Sequence, residues 1–297
     1  MLRLGIDIGG TKINVGLIRF SEDNATVLAS RRLAVCEQQD AVCGIAEAVS
    51  ALCDEQGVSP ESIGSCGVGI PGTVSADGQR ILLAPNITCL GENFADRLST
   101  RLGLPVSMMQ DSRAAALGEY LCGAGKNAKA LLCFTLGTGI GTGLVLNGHV
   151  YHGALGTAGE LGHTPIIPNG RACGCGKRGC LEKYCAGRGL DITAAELLGQ
   201  GNTAKELFAA AKEGNKEAQN AIENAVELLG NTLVAAINLL SPDRVLFSGG
   251  LAEVPDYYEP LVAYVKAHCY ALECLPEIGK ASLGALAPMI GAALIDA

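Results

Sequence analysis

His163, Cys173, Cys175 and Cys180 form the pattern H-x9-C-x-C-x4-C inside a glycine-rich stretch. Three thiolates and one imidazole make a closed tetrahedral shell, the donor set of a structural zinc ion rather than of one that keeps a reactive water. Free thiols are the competing explanation, because the chain has 13 cysteines. Four ligands so close in sequence favour the metal. Glu160 lies three residues before His163 and Glu182 two after Cys180. A metal-fixed loop would hold both carboxylates in defined positions. Carboxylates beside a metal-oriented imidazole suit a ring of sugar hydroxyls. Asn86, after a proline, and Asp111, at the end of a predicted strand, are further candidates. For any one carboxylate alone, a solvated surface role is the plainer explanation.

A second set suits anions. Asp7-Ile8-Gly9-Gly10-Thr11-Lys12 puts a carboxylate at the end of an apolar run, before a turn with no Cβ atoms in the way. The N–H groups and the Thr11 hydroxyl of such a turn can cradle phosphate oxygens, and Asp7 can hold a hydrated Mg²⁺. An ordinary tight hairpin would read the same way. Gly137-Thr138-Gly139 is a second turn of this kind, and two facing turns could grip one polyphosphate. Other phosphate signatures fail. Gly123-Ala124-Gly125-Lys126 lacks the first glycine of a P-loop and continues into Asn127; the G-x-G-x-x-G at Gly174, Gly176 and Gly179 is interleaved with cysteines and follows no strand.

These residues need a scaffold, and the chain has the material for one. It has 297 residues, 48% apolar and 18% charged, enough for a large core in one or two domains. Lysine plus arginine is 22 and aspartate plus glutamate 30, a net charge of 22 − 30 = −8, which argues against a nucleic-acid surface. Tryptophan is absent and aromatics are 4%, so stacking platforms for single strands are not expected. Glycine numbers 40, scattered through apolar runs, which reads as backbone approaching a ligand. The odd cysteine count and the strand-like start MLRLGIDIGG suggest a reduced, cytoplasmic chain with no leader and no membrane span.

Periodicity predicts strands over Leu2–Ile8, Ile13–Phe20 and Val27–Val35, the first two a hairpin, and then a helix over Ala41–Gln56. Strands at Ser65–Ile70 and Val106–Met109 alternate with helices at Asn93–Leu102 and Ser112–Cys122, an α/β pattern. The pattern then starts again. LCFTLGTGIGTGLVL from Leu132 matches LGIDIGGTKINVGLI from Leu4 as strand, Gly/Thr turn and strand, an internal repeat. A long helix runs from Ala218 to Leu240 and stops at Ser241-Pro242; Val245–Phe247 is a strand closing on Gly249-Gly250; Gly284–Ile295 reads as a small-residue helix. The expected division is a small α/β domain, 1–111 plus 284–297, and a larger one, 112–283, with the zinc loop and dimerisation helices.

Six motifs occur in the order seen in the ROK family of bacterial sugar kinases and repressors, which the whole chain resembles. They are Asp7-Ile-Gly-Gly-Thr11, Gly69-Ile-Pro-Gly72, Gln110-Asp111 with the following LGE, Leu136-Gly-Thr-Gly139, Glu160-Leu-Gly-His163 and Cys173-Gly-Cys-Gly-Lys-Arg-Gly-Cys180-Leu-Glu182. The resemblance implies a two-domain actin-like ATPase and sugar-kinase (ribonuclease H-like) fold, with ATP, Mg²⁺ and a structural Zn²⁺, and a homodimer. It implies Asp111 as catalytic base. It implies Gly72, Asn86, Gln110, Glu160, His163 and Glu182 on the sugar. Asp7, Gly9, Gly10, Thr11, Lys12, Gly137, Thr138 and Gly139 fall on the nucleotide phosphates, and Gly249-Gly250 on the adenosine side. The expected reaction is transfer of the γ-phosphoryl of ATP to a hexose hydroxyl, O6 by analogy.

One departure bears on substrate. Glucose-phosphorylating members of the family it resembles carry Asn before the base, where Gln110 stands here, and the family's Asn two positions after the base is Arg113 here. The stretch from Gly249 to Tyr257 is similar to allose-kinase members. Allose and N-acetylhexosamine kinases are therefore the alternatives to a glucokinase. A sugar-responsive repressor of the same family would carry a DNA-binding segment before the first strand, and none is expected here. A zinc-containing sugar binder without catalysis is a third reading.

Overall fold

The computed structural model describes residues 1–21, 24–35, 40–75, 77–84, 87, 90–270 and 272–295. Asn86 lies outside the described residues. The chain opens with β1 (Leu2–Ile8), β2 (Lys12–Ser21) and β3 (Asn24–Ala34), each antiparallel to the one before. Helix α1 (Ala41–Gln56) begins where the Asp40 carboxylate accepts the Val42 N–H at 3.1 Å, and stops at Gly57 in the left-handed region. Then come β4 (Ile63–Ile70), the short pair β5 (Thr73–Val74) and β6 (Ile81–Leu83), α2 (Phe94–Leu102), β7 (Val106–Gln110) and α3 (Asp111–Cys122). Strands β1, β4 and β7 run parallel, giving a sheet of order β3-β2-β1-β4-β7.

The second sheet repeats the first. It is built from β8 (Ala130–Leu136), β9 (Ile140–Leu146), β10 (His149–Val150), β11 (Arg244–Ser248) and β12 (Glu277–Lys280), in the order β10-β9-β8-β11-β12. Numbered within each half, both sheets read 3-2-1-4-5. Both have a parallel run from the first strand through the fourth to the fifth. The repeat seen in the two Gly/Thr turns thus extends to whole sheets. Between β10 and β11 come α4 (Glu182–Cys185), α5 (Gly187–Leu198), α6 (Ala204–Lys212) and α7 (Lys216–Leu240); α8 (Pro255–His268) precedes β12. Helix α7 starts at the Asn215 cap and ends at Ser241, φ 45°, ahead of Pro242. Among the described residues no helix is long and apolar enough to cross a membrane.

Two units divide the chain. The first is Met1–Ala128, Gly143–Ala158 and Ala281–Ala297; the second is Lys129–Thr142 and Gly159–Lys280. This differs from the expected division after Asp111. The cause is α9 (Ala287–Ala292), which packs against α3 and holds it in the first unit. The two helices meet backbone to backbone: a Cβ on Gly291 would stand 1.6 Å from the Ala114 carbonyl oxygen. The helix expected over Gly284–Ile295 is shorter than predicted, a 3₁₀ turn at Gly284–Leu286 leading into those six residues.

Alternation sorts β1. Leu4, Ile6 and Ile8 join the core shared with α1 and α2. Gly5 turns to α9, where a Cβ would fall 2.0 Å from the Met289 oxygen, and Gly67 of β4 does the same against Ala292 at 1.7 Å. Part of the glycine excess is therefore a packing requirement of α9, not an approach to a ligand.

Candidate active site and metal centre

In the first unit, chemistry collects at the C-terminal ends of the parallel strands, the usual place for ligands in open α/β sheets. Asp7 is paired in register with Gly69, and Ile70 with Gln110. By alternation Asp7 shares the face of Gly5, the side of α9. Asp111 heads α3, with its Oδ1 accepting its neighbour Ser112 N–H at 2.6 Å. A Cβ on Gly69 would lie 3.6 Å from the Asp111 Cα, so the bare strand lets the helix start close against it. Gln110 is buried and Asp111 half-buried.

A polar row crosses three strands beside this. Asn14, facing Asp7 on β2, donates its Nδ2–H to Asp7 Oδ2 at 3.0 Å, and Arg32 of β3 donates Nε–H to Asn14 Oδ1 at 3.2 Å. Arginine has no acceptor, so it turns the Asn14 oxygen to itself and the amide N–H to Asp7. Burial pushes the Asp7 carboxyl above its ordinary value, while Asn14 and the Lys12 charge pull it back. The reading of the sequence missed Asn14. A four-residue turn between Ile8 and Ile13 was enough to set it opposite Asp7.

The turn after Asp7 is closed by Gly9 N–H to the Lys12 carbonyl at 2.8 Å, and Gly10, Thr11 and Lys12 are exposed. A Cβ on Gly10 would meet nothing within 4 Å. Gly72 is different, because its Cβ would strike the Leu83 oxygen at 2.2 Å. Packing against β6 accounts for that glycine.

In the second unit three segments converge. Gly187 donates its N–H to the Gly137 oxygen at 2.8 Å, and Arg188 to the Thr138 oxygen at 3.3 Å, so the first turn of α5 braces the Gly137–Gly139 turn. Gly249, at φ 91°, closes in from β11; a Cβ there would sit 2.4 Å from the Leu136 oxygen. Gly137 and Gly250, like Gly10, have open space where a Cβ would be, and none of the three has a positive φ.

His163, Cys173, Cys175 and Cys180 come together with one ligand atom from each, all within 4.8 Å of one another. Cys173 Sγ is 3.5 Å from His163 Nδ1, and Cys175 Sγ 3.6 Å from Cys180 Sγ. With Zn–S near 2.3 Å and Zn–N near 2.0 Å, a tetrahedron has edges of about 3.5–3.8 Å. Those two separations match such edges and the donor set suits zinc, with all four atoms within 4.8 Å and the sulfurs far beyond a disulfide's length. Burial pushes the Cys173 thiol up to about 12; a cation among the sulfurs would reverse this.

Glu182 links the cluster to the turn. Its Oε1 accepts from Cys173 Sγ at 3.3 Å and lies 3.9 Å from His163 Nδ1, while its Oε2 is 3.0 Å from where a Cβ of Gly139 would be. Glu160 is half-buried at the start of the 3₁₀ turn Leu161–His163, its carbonyl accepting the His163 N–H at 3.0 Å. Sequence reading also passed over Gly187 and Arg188, since backbone donors leave no mark in residue type.

Comparison with known proteins sets this geometry in context. The ROK family matches residues 3–296. The ROK hexokinase of Thermus thermophilus superposes with a TM-score of 0.87 at 33% identity, over 99% of this chain and 97% of that one. A glucokinase from Streptomyces griseus, in complex with glucose and AMPPNP, superposes with a TM-score of 0.78 at 30% identity, over 99% of each. The N-acetyl-D-glucosamine kinase of Vibrio cholerae is 30% identical over 98% of either chain.

Proposed function

The chain belongs to the ROK family, and from that premise we propose that it is an ATP-dependent hexose kinase with Asp111 as its catalytic base. The observation that carries the reading is the register of Asp7, Gly69 and Gln110-Asp111 at one end of the parallel strands. Asp111 would accept the proton of the sugar hydroxyl as that oxygen attacks the γ-phosphorus and ADP leaves. Asp7, steered by Asn14, would hold the water shell of Mg²⁺, whose charge offsets that of the phosphates. Thr11, Lys12, Thr138 and Gly139 would meet phosphate oxygens, with Gly249-Gly250 toward the adenosine. Gly10, Gly137 and Gly250 support this, because their φ and surroundings within the chain do not call for glycine. A ligand passing close to the backbone would.

Gln110, Glu160, His163 and Glu182 would orient the sugar, with Gly72 shaping the strand end and Asn86 completing the set. His163, Cys173, Cys175 and Cys180 would hold zinc, which supplies rigidity to the loop and takes no proton or electron. A reducing, cytoplasmic setting and a homodimer belong to the same reading. Gln110, with the Vibrio cholerae relative, favours a second reading for the acceptor, an N-acetylhexosamine or allose in place of glucose.

The test is ADP release with glucose, allose, mannose, fructose and N-acetylated amino sugars, for wild type and Asp111→Ala. Sugar-dependent turnover that falls by about 10²–10⁴-fold in the variant supports the proposal. Sugar binding without turnover in the wild type would point to a binding protein instead.

A further inference from the structure

Arg113 lies two residues past Asp111 on α3, is 2% exposed, and heads the fully buried side chains by size. Its Nη1 donates to the Gly156 carbonyl at 2.9 Å and its Nη2 to the Ala158 carbonyl at 2.6 Å. Both carbonyls belong to a stretch with left-handed glycines at Gly153, Gly156 and Gly159, φ 73°, 74° and 85°. Such a stretch has little stiffness of its own, since glycine gives up the most conformational freedom on folding. Leu155 within it is 83% exposed, so apolar burial of that side chain does not hold it. Two backbone bonds, Gly156 N–H to the Gly153 carbonyl at 3.2 Å and Ala158 N–H to the His152 carbonyl at 3.0 Å, close it on itself, and the guanidinium fork on two carbonyls ties it to α3. A buried guanidinium is costly unless its donors are satisfied, so its presence is better explained by what it ties down than by packing. From Ala158 the chain passes only Gly159 before Glu160, a reach of about 7 Å at most.

We infer that Arg113 is a positioning residue for the sugar, fixing the Gly156 and Ala158 carbonyls and with them the segment that leads into Glu160. The inference rests on the kinase reading and on Glu160 as a sugar ligand. The turns assigned to the nucleotide, Gly9–Lys12, Gly137–Gly139 and Gly249-Gly250, lie on other segments, so the expected effect is on the hexose KM rather than the KM for ATP.

Arg113→Met and Arg113→Lys are compared with wild type by steady-state kinetics in hexose and in ATP, and by hydrogen exchange across residues 153–160. In Arg113→Met the hexose KM rises about tenfold or more while the KM for ATP stays within about twofold, and the loop amides exchange faster. Arg113→Lys, which keeps a donor, recovers part of the hexose KM. A folded Arg113→Met with unchanged hexose KM, or with both KM values raised by one factor, overturns the inference. If Arg113→Met does not fold, Arg113→Lys decides: a selective rise in hexose KM supports the inference and equal KM values overturn it. Wild-type turnover across the hexoses reads the kinase proposal separately. Should that fail, exchange at 153–160 still decides the clamp, faster in the variants if it stands and unchanged if it does not.

Discussion

Asn14 Nδ2 sits 3.0 Å from Asp7 Oδ2 at facing positions of the first hairpin, and it is this amide that keeps a partly buried carboxylate usable. Burial raises the Asp7 pKa more than Asn14 and Lys12 lower it. A carboxylate with a raised folded pKa binds its proton more tightly in the folded state. Stability therefore falls as pH climbs from the ordinary value of 3.8 through the folded value, and the full cost remains at neutral pH. Asp7→Asn removes that cost. Its melting temperature at pH 7 should exceed wild type by roughly 1–3 °C, with the gap closing as the pH is lowered toward 4, while kinase turnover drops by about tenfold or more. Melting curves at several pH values check the sign. A variant less stable than wild type at pH 7 would contradict it.

Cys175→Ser should lose zinc and sugar turnover together, because Glu182 is bonded to Cys173 and adjoins Gly139. Metal content by elemental analysis and kcat/KM for the sugar are the two measurements, with an expected loss of about 10–100-fold. Full activity in metal-free protein would show that the loop holds its shape unaided.

Two glycines separate folding from ligand approach. Gly249→Ala should cost roughly 1–3 kcal/mol of stability, since its φ is 91° and its Cβ would strike the Leu136 oxygen. Gly137→Ala meets no atom within 4 Å and should keep or slightly raise the melting temperature, yet lift the KM for ATP by about tenfold. An unchanged KM for ATP would remove Gly137 from the phosphate site.

Gln110→Asn shortens a buried amide by one methylene beside Asp111. The ratio of kcat/KM for glucose over N-acetylglucosamine should move toward glucose by about fivefold, the worth of one hydrogen bond gained or lost. If the ranking of sugars stays as in the wild type, the position does not select the acceptor.

Local signals survived the passage from sequence to structure best. The hairpin of β1 and β2, the helix over Ala41–Gln56 with its stripe at Val42, Ile45, Val49 and Leu52, and the His163–Cys180 cluster each rest on residues close in the chain. Elements without a strong period went unread: β12 has four residues, and α5 and α6 bury only a few side chains each. The division between units escaped because it depends on Gly118 and Gly291, far apart in sequence, leaving room for α3 and α9 to touch. The Arg113 clamp was visible only as an odd residue type, since its partners are carbonyls that every residue has.

The seating of α9 on Gly5 and Gly67 has a bearing on biosynthesis. A ribosome delivers β1 long before Met289. Until then α3 alone can pack on that side of the sheet, and the places kept bare by Gly5 and Gly67 stay open, so the first unit cannot finish assembling before Met289 is made. The nascent chain must wait, or be shielded, until α9 arrives.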